Sequence, residues 1–120
     1  MTFIPTNMDI REIKRMKIYL DDIRIPSKDY IWVKDMFSAI RMIAENWDNI
    51  EEISLDHDLG DENVVGNGYR VVCFIETYVY ENHPNHIPYI HVHSANPVGR
   101  NKMEAGIKHI ETMYNTYMGN

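Results

Sequence analysis

The sequence predicts one α/β domain of three layers, built on a mostly parallel sheet of about four strands. Two observations carry this expectation. From Met16 onward, short apolar runs that end in polar clusters alternate with longer segments of helical period, which is how βα units read. The chain has 120 residues, 44% of them hydrophobic and 25% charged, which suits a single core, and it contains no repeat and no low-complexity stretch.

The elements follow in order. Residues 1–15 are set apart as an N-terminal arm, with turn and cap formers at Pro5, Thr6, Asn7 and Asp9 before a short mixed segment; residues 16–120 form the domain. Lys17-Ile18-Tyr19-Leu20 is the first strand and ends at Asp21-Asp22. A loop holding Arg24, Pro26 and Ser27 leads to a short second strand, Ile31-Trp32-Val33. Asp35 caps a helix running to about Trp47, whose apolar stripe includes Phe37, Ile40 and Ile43. Glu52-Ile53-Ser54-Leu55 is the third strand. Residues 59–68 are dense in Gly, Asn and Asp and read as an exposed loop. A helix from about Tyr69 to Asn82 is stopped by His83-Pro84-Asn85; Tyr89-Ile90-His91-Val92-His93 is the fourth strand, and a last helix spans about Val98 to Tyr117.

Composition excludes several classes of function. A net charge of −6 argues against a protein that grips long duplex nucleic acid, since that affinity comes from Lys and Arg neutralising phosphates. No apolar run approaches the roughly 20 residues that span a bilayer, and the N-terminus lacks an apolar signal core, so a cytoplasmic protein without a membrane partner is expected. Cys73 is the lone cysteine, so no internal disulfide can form, and its apolar neighbours suggest a buried thiol.

Parallel strands joined by right-handed crossovers place their carboxyl ends along one edge of the sheet. Three strands end in reactive groups: Asp21-Asp22, Asp56-His57-Asp58 and His93-Ser94-Ala95-Asn96. These segments, distant in sequence, therefore belong to one rim. Asp after a strand often serves only as a turn or cap former; polar residues gathered at the ends of strands that are otherwise apolar point further, to a site. Several carboxylates that close would repel and retain protons unless a cation stood among them. Carboxylate and water oxygens suit Mg²⁺ or Mn²⁺, and imidazole from His57, His91 or His93 would shift the preference toward Mn²⁺ or Zn²⁺. His91 and His93, two apart, leave the same face of the sheet, and His93 is the better candidate for acid–base work. Asn96 to Asn101 leads into a helix N-terminus that favours an anion, with Arg100 and, across the rim, Arg24 as forked donors to phosphate.

Three ordered spans carry a family resemblance: Leu20-Asp21-Asp22 with Arg24 and Pro26; Ser54-Leu55-Asp56-His57-Asp58-Leu59-Gly60-Asp61; and His91-Val92-His93-Ser94-Ala95-Asn96-Pro97, joined by Gly66-Asn67-Gly68-Tyr69 and Gly99-Arg100. The chain resembles, from Met16 to about Ile110, the cyclic-phosphate processing receiver-like domains. The resemblance implies a receiver-like (flavodoxin-like) fold, shortened, because a full receiver continues to a fifth strand ending in Lys and Lys102 does not match that position. In receivers an acidic pair after the first strand holds Mg²⁺, an Asp after the third accepts a phosphoryl group and a Ser or Thr follows the fourth; Asp21, Asp22, Asp56 and Ser94 match those places.

The resulting expectation is a metal-dependent phosphoesterase that acts on, or binds, a cyclic phosphate of a nucleotide or RNA end. Asp21, Asp22 and Asp56 are its expected metal ligands; His57, Asp58 and His93 its catalytic groups; Arg24, Ser94, Asn96, Arg100 and Gly68 its substrate-binding positions, with the loop of residues 61–68 able to close over a ligand. The alternatives are a shortened receiver phosphorylated on Asp56 and a module that binds a cyclic nucleotide without turnover.

Overall fold

In a computed structural model of the chain, residues 15–119 are described; the expected N-terminal arm, apart from Arg15, lies outside them. Four strands form one parallel sheet in the order β2-β1-β3-β4: β1 (Met16–Leu20), β2 (Ile31–Val33), β3 (Ile50–Leu55) and β4 (Tyr89–Val92). Four helices accompany them: α1 (Met36–Asn46), α2 (Glu62–Val65), α3 (Gly68–Asn82) and α4 (Pro97–Tyr117). The α/β class and the shortened receiver-like layout are as the sequence led one to expect. No described helix is long and apolar enough to cross a membrane.

Period-two alternation sorts the strands. Ile18, Leu20, Val33, Ile53, Leu55, Ile90 and Val92 are buried in one core with Met36, Ala39 and Ile43 of α1, Val71, Val72, Ile75 and Val79 of α3, and Met103, Ile107 and Ile110 of α4. The opposite face carries Lys17, Tyr19, Trp32, Glu52, Ser54, His91 and His93, the alternate residues of the same strands. Connection geometry explains the difference. The crossovers from β2 to β3 and from β3 to β4 run the same way along the sheet, and right-handed crossovers then put α1 and α3 on one side. The step from β1 to β2 runs the other way, but residues 21–30 make it as a loop. The described helices therefore form one layer, and a third layer is not among the described elements.

Helix ends follow local chemistry. Asp35, Asn67 and Asn96 cap α1, α3 and α4, each side chain accepting a backbone N–H three residues on. His83 ends α3 in the left-handed conformation, φ 43°, just before Pro84. Two expectations shift. The segment of residues 59–68 holds a helical turn, α2, capped by Asp61. Cys73 on α3 is half-buried rather than fully enclosed.

Candidate functional site

The carboxyl ends of β1, β3 and β4 meet over a cleft of about 540 Å³ lined by Asp21, Asp22, Ile23, Arg24, Asp56, Asp58, Gly60, Ser94, Ala95 and Asn96. Its floor is made by adjacent strands. The Asp21 amide donates to the Val33 carbonyl, the Asp56 amide to the Leu20 carbonyl and the His93 amide to the Leu55 carbonyl, each bond extending the ladder one step beyond a strand end. The register of the sheet thus sets the spacing of Asp21, Asp56 and His93.

These three converge. One ligand atom from each of Asp21, Asp56 and His93 lies within 4.8 Å of the others. Asp21 is buried, and its Oδ1 accepts the amides of Ile23 (2.9 Å) and Arg24 (2.8 Å) while Oδ2 faces His93 Nε2 at 3.0 Å. Burial alone would raise this carboxyl; the two amides and His93 outweigh it, and the group is held below its ordinary range. Asp56 shifts the other way. Burial and then the charge of Asp21 push its carboxyl up, against the opposing pull of the His57 amide and the Ser94 hydroxyl.

His93 is fixed on three sides. Its ring stacks on Tyr19 with centroids 4.3 Å apart, and Nδ1 lies 2.7 Å from Ser54 Oγ. Burial pushes the imidazole below its ordinary range, so it is neutral at neutral pH despite the neighbouring Asp21 and Asp56. An ionised Asp21 can only accept, so Nε2 carries the proton and Nδ1 accepts the Ser54 hydroxyl. A serine hydroxyl can also accept. Ser54 therefore tolerates the opposite tautomer, in which a bare Nε2 could ligate a cation.

Asp58 is the open carboxylate of the rim, its side chain 61% exposed against 13% for His57. His57 Nδ1 meets Asp58 Oδ1 at 2.8 Å and Asn96 Nδ2 donates to Asp58 Oδ2 at 3.2 Å; the His57 bond leads in holding this carboxyl below its ordinary range. Asn96 works twice, since its Oδ1 also caps α4 through the Gly99 amide at 3.1 Å. The buried Ser94 accepts the Asn96 amide at 3.1 Å. Arg24 lies across the cleft mouth, with one guanidinium nitrogen 3.3 Å from the His93 carbonyl oxygen.

Other positions singled out from sequence stand apart from the cluster of Asp21, Asp56 and His93. Asp22 lines the cleft but is not part of that cluster. His57 lies beneath α4, where a Cβ on Gly99 would come within 2.5 Å of its ring. Gly68 starts α3 against the back of β3; a Cβ there would stand 1.9 Å from the Asp56 carbonyl oxygen, and its amide donates to the His57 carbonyl. Arg100 points along α4 toward Glu104, at 3.5 Å, and lines a different groove. His91 pairs with Glu52 at 2.8 Å on the open sheet face. Sequence reasoning passed over Ser54 and Tyr19. Both stand at the alternate positions of their strands that share a face with His93, which is the signal that would have found them.

A comparison with protein-family models matches residues 16–109 to the cyclic-phosphate processing Receiver domain. The chain belongs to that family. No curated protein and no solved structure matches it. The three spans that carry the resemblance in the sequence coincide with the three strand ends that build the cleft.

The receiver family implies a divalent ion among the acidic residues, and the residues fit one. Asp21 and Asp56 set two carboxylates side by side; burial first and then repulsion from Asp21 raise Asp56, and a cation would relieve that repulsion. Carboxylates with one neutral imidazole suit Mn²⁺ or Zn²⁺, and carboxylates with water suit Mg²⁺. A second group, His57, Asp58 and Glu62, also brings its ligand atoms within 4.8 Å, but Asp58 and Glu62 are exposed.

Proposed function

We propose that this chain is a metal-dependent phosphoesterase that opens the cyclic phosphate of a nucleotide or of an RNA end. The observation that carries the proposal is the convergence of Asp21, Asp56 and His93 at the floor of a cleft whose walls bear Arg24, Ser94 and Asn96. Asp21 and Asp56, with Asp22 at the edge and His93 as a nitrogen donor, would hold Mg²⁺ or Mn²⁺, with Zn²⁺ as the third option. When bound, the ion supplies charge neutralisation and polarisation of a phosphoryl oxygen.

The chain's own groups do the rest. Arg24 and Asn96 orient the phosphate at the mouth, and the size of the cleft suits a mononucleotide or a single RNA terminus more than a duplex. Asp58, ionised and open to solvent, takes the proton of the attacking water as its oxygen bonds to phosphorus. The ring P–O bond breaks, and the leaving alkoxide collects its proton from water in the open cleft. His57 holds Asp58 in place. His93, neutral and enclosed, serves as a ligand and positioning group rather than as the acid first expected of it.

A receiver phosphorylated on Asp56 is less well supported. Among the described residues no lysine lines the cleft, and Lys102 lies over the Tyr69 ring, 4.1 Å from its centroid. Purified protein with Mg²⁺, Mn²⁺ or Zn²⁺, incubated with a panel of 2′,3′- and 3′,5′-cyclic nucleotides and analysed by chromatography, should yield open monophosphates from at least one ring size. Ligand that stabilises the protein but is recovered unchanged would mark a binding module instead.

A further inference from the structure

Among the described residues β4 is an edge strand, bonded to β3 and to no other strand. The His93 amide donates to Leu55 of β3, so by alternation the amides and carbonyls of Ile90 and Val92 point outward from the sheet. Beside them runs a groove of about 530 Å³, lined by Tyr89 to Val92 and by Arg100, Glu104, Ile107, Lys108 and Glu111 of α4. The four charged residues share one helix face and alternate in sign along it. Arg100 and Glu104 lie 3.5 Å apart within the chain, whereas Lys108 and Glu111 have no ion-pair partner among the described residues.

This series is complementary to its own reverse. Laid antiparallel to a copy of itself, α4 brings Arg100 opposite Glu111 and Glu104 opposite Lys108, both pairs about one midpoint near Ala105 and Gly106. A twofold axis perpendicular to the sheet reverses β4 at the same time as α4. It then pairs Ile90 with Val92 of a second copy about His91, so that each outward amide meets an outward carbonyl. Two molecules of net charge −6 repel at most approaches, and this face, with equal numbers of each sign, is one where they need not. We propose that the β4 edge and the α4 face bind a second copy of this chain, giving a twofold dimer with one continuous sheet.

The test is sedimentation velocity across a wide range of concentration, together with hydrogen exchange at the Ile90 and Val92 amides. A reversible dimer is expected, with both amides protected more strongly as concentration rises. Lys108→Glu sets acid against Glu104 and should weaken the dimer at least about tenfold, while the exchange Glu104→Lys with Lys108→Glu should restore it to within a few fold. Neither position lines the cleft, so cyclic-phosphate turnover is a separate readout that these substitutions leave alone. A wild-type protein that stays monomeric at every concentration overturns the proposal, as does a dimer that Lys108→Glu leaves equally tight.

Discussion

Asp21 and Asp56 are neighbours with opposite perturbations, and the contrast shows how the rim is poised. Asp21 is supplied with backbone amides before any ligand arrives; Asp56 is pushed up by burial first and by the charge of Asp21 second. Replacing Asp56 with Asn should therefore raise the unfolding midpoint of the metal-free protein at neutral pH by about 3 °C. The same substitution should remove most of the stabilisation that Mn²⁺ gives the wild type, about 2.7 kcal/mol at a hundredfold excess over Kd. Thermal unfolding with and without the ion measures both effects. On the open sheet face, Tyr30 donates to Glu52, and this bond is the leading cause that pushes the phenol up to about 12. A folded pKa above the unfolded value of 10.0 gives stability that is complete below pH 10 and is lost as pH rises toward 12. Chemical denaturation across that window should show a steeper loss for the wild type than for Tyr30→Phe.

At the scale of elements, close approach at a glycine distinguishes rigid from yielding neighbours. A Cβ on Gly68 meets the Asp56 backbone, which cannot move without shifting the site, whereas a Cβ on Gly106 meets a side-chain methyl group of Val72 at 2.7 Å. Gly68→Ala should cost about 3 kcal/mol or more. Gly106→Ala in the middle of α4 should be near neutral, as helix propensity worth about 1 kcal/mol offsets the crowding. Urea titration of both variants makes the comparison.

The elements were largely legible because their signals are local: alternation in the strands, Asp35 and Asn96 as caps, His83-Pro84 as a stop. The turn α2 was hidden among glycines and asparagines, where helical period has too few residues to register. The convergence of Asp21, Asp56 and His93 was legible because parallel topology alone brings strand ends together. The roles of Gly68, His57 and Arg100 were not, since they depend on which way a side chain or backbone turns after the strand has ended.

At the scale of the molecule, the described helices stabilise the sheet from one face and leave a cleft open at its carboxyl edge. Under the proposed function, selection of a small phosphate would fall to Arg24, Asn96 and a cation held in the cleft they line. The central claim is that these residues open a cyclic phosphate with the aid of that cation. A ³¹P spectrum of 2′,3′- and 3′,5′-cyclic nucleotides incubated with wild-type protein or with Asp56→Asn, in Mn²⁺ and then in excess chelator, tests it most directly. The account predicts that a cyclic signal gives way to a monoester signal only with wild-type protein and metal together; cyclic signals that persist there, or that Asp56→Asn converts equally well, would contradict it.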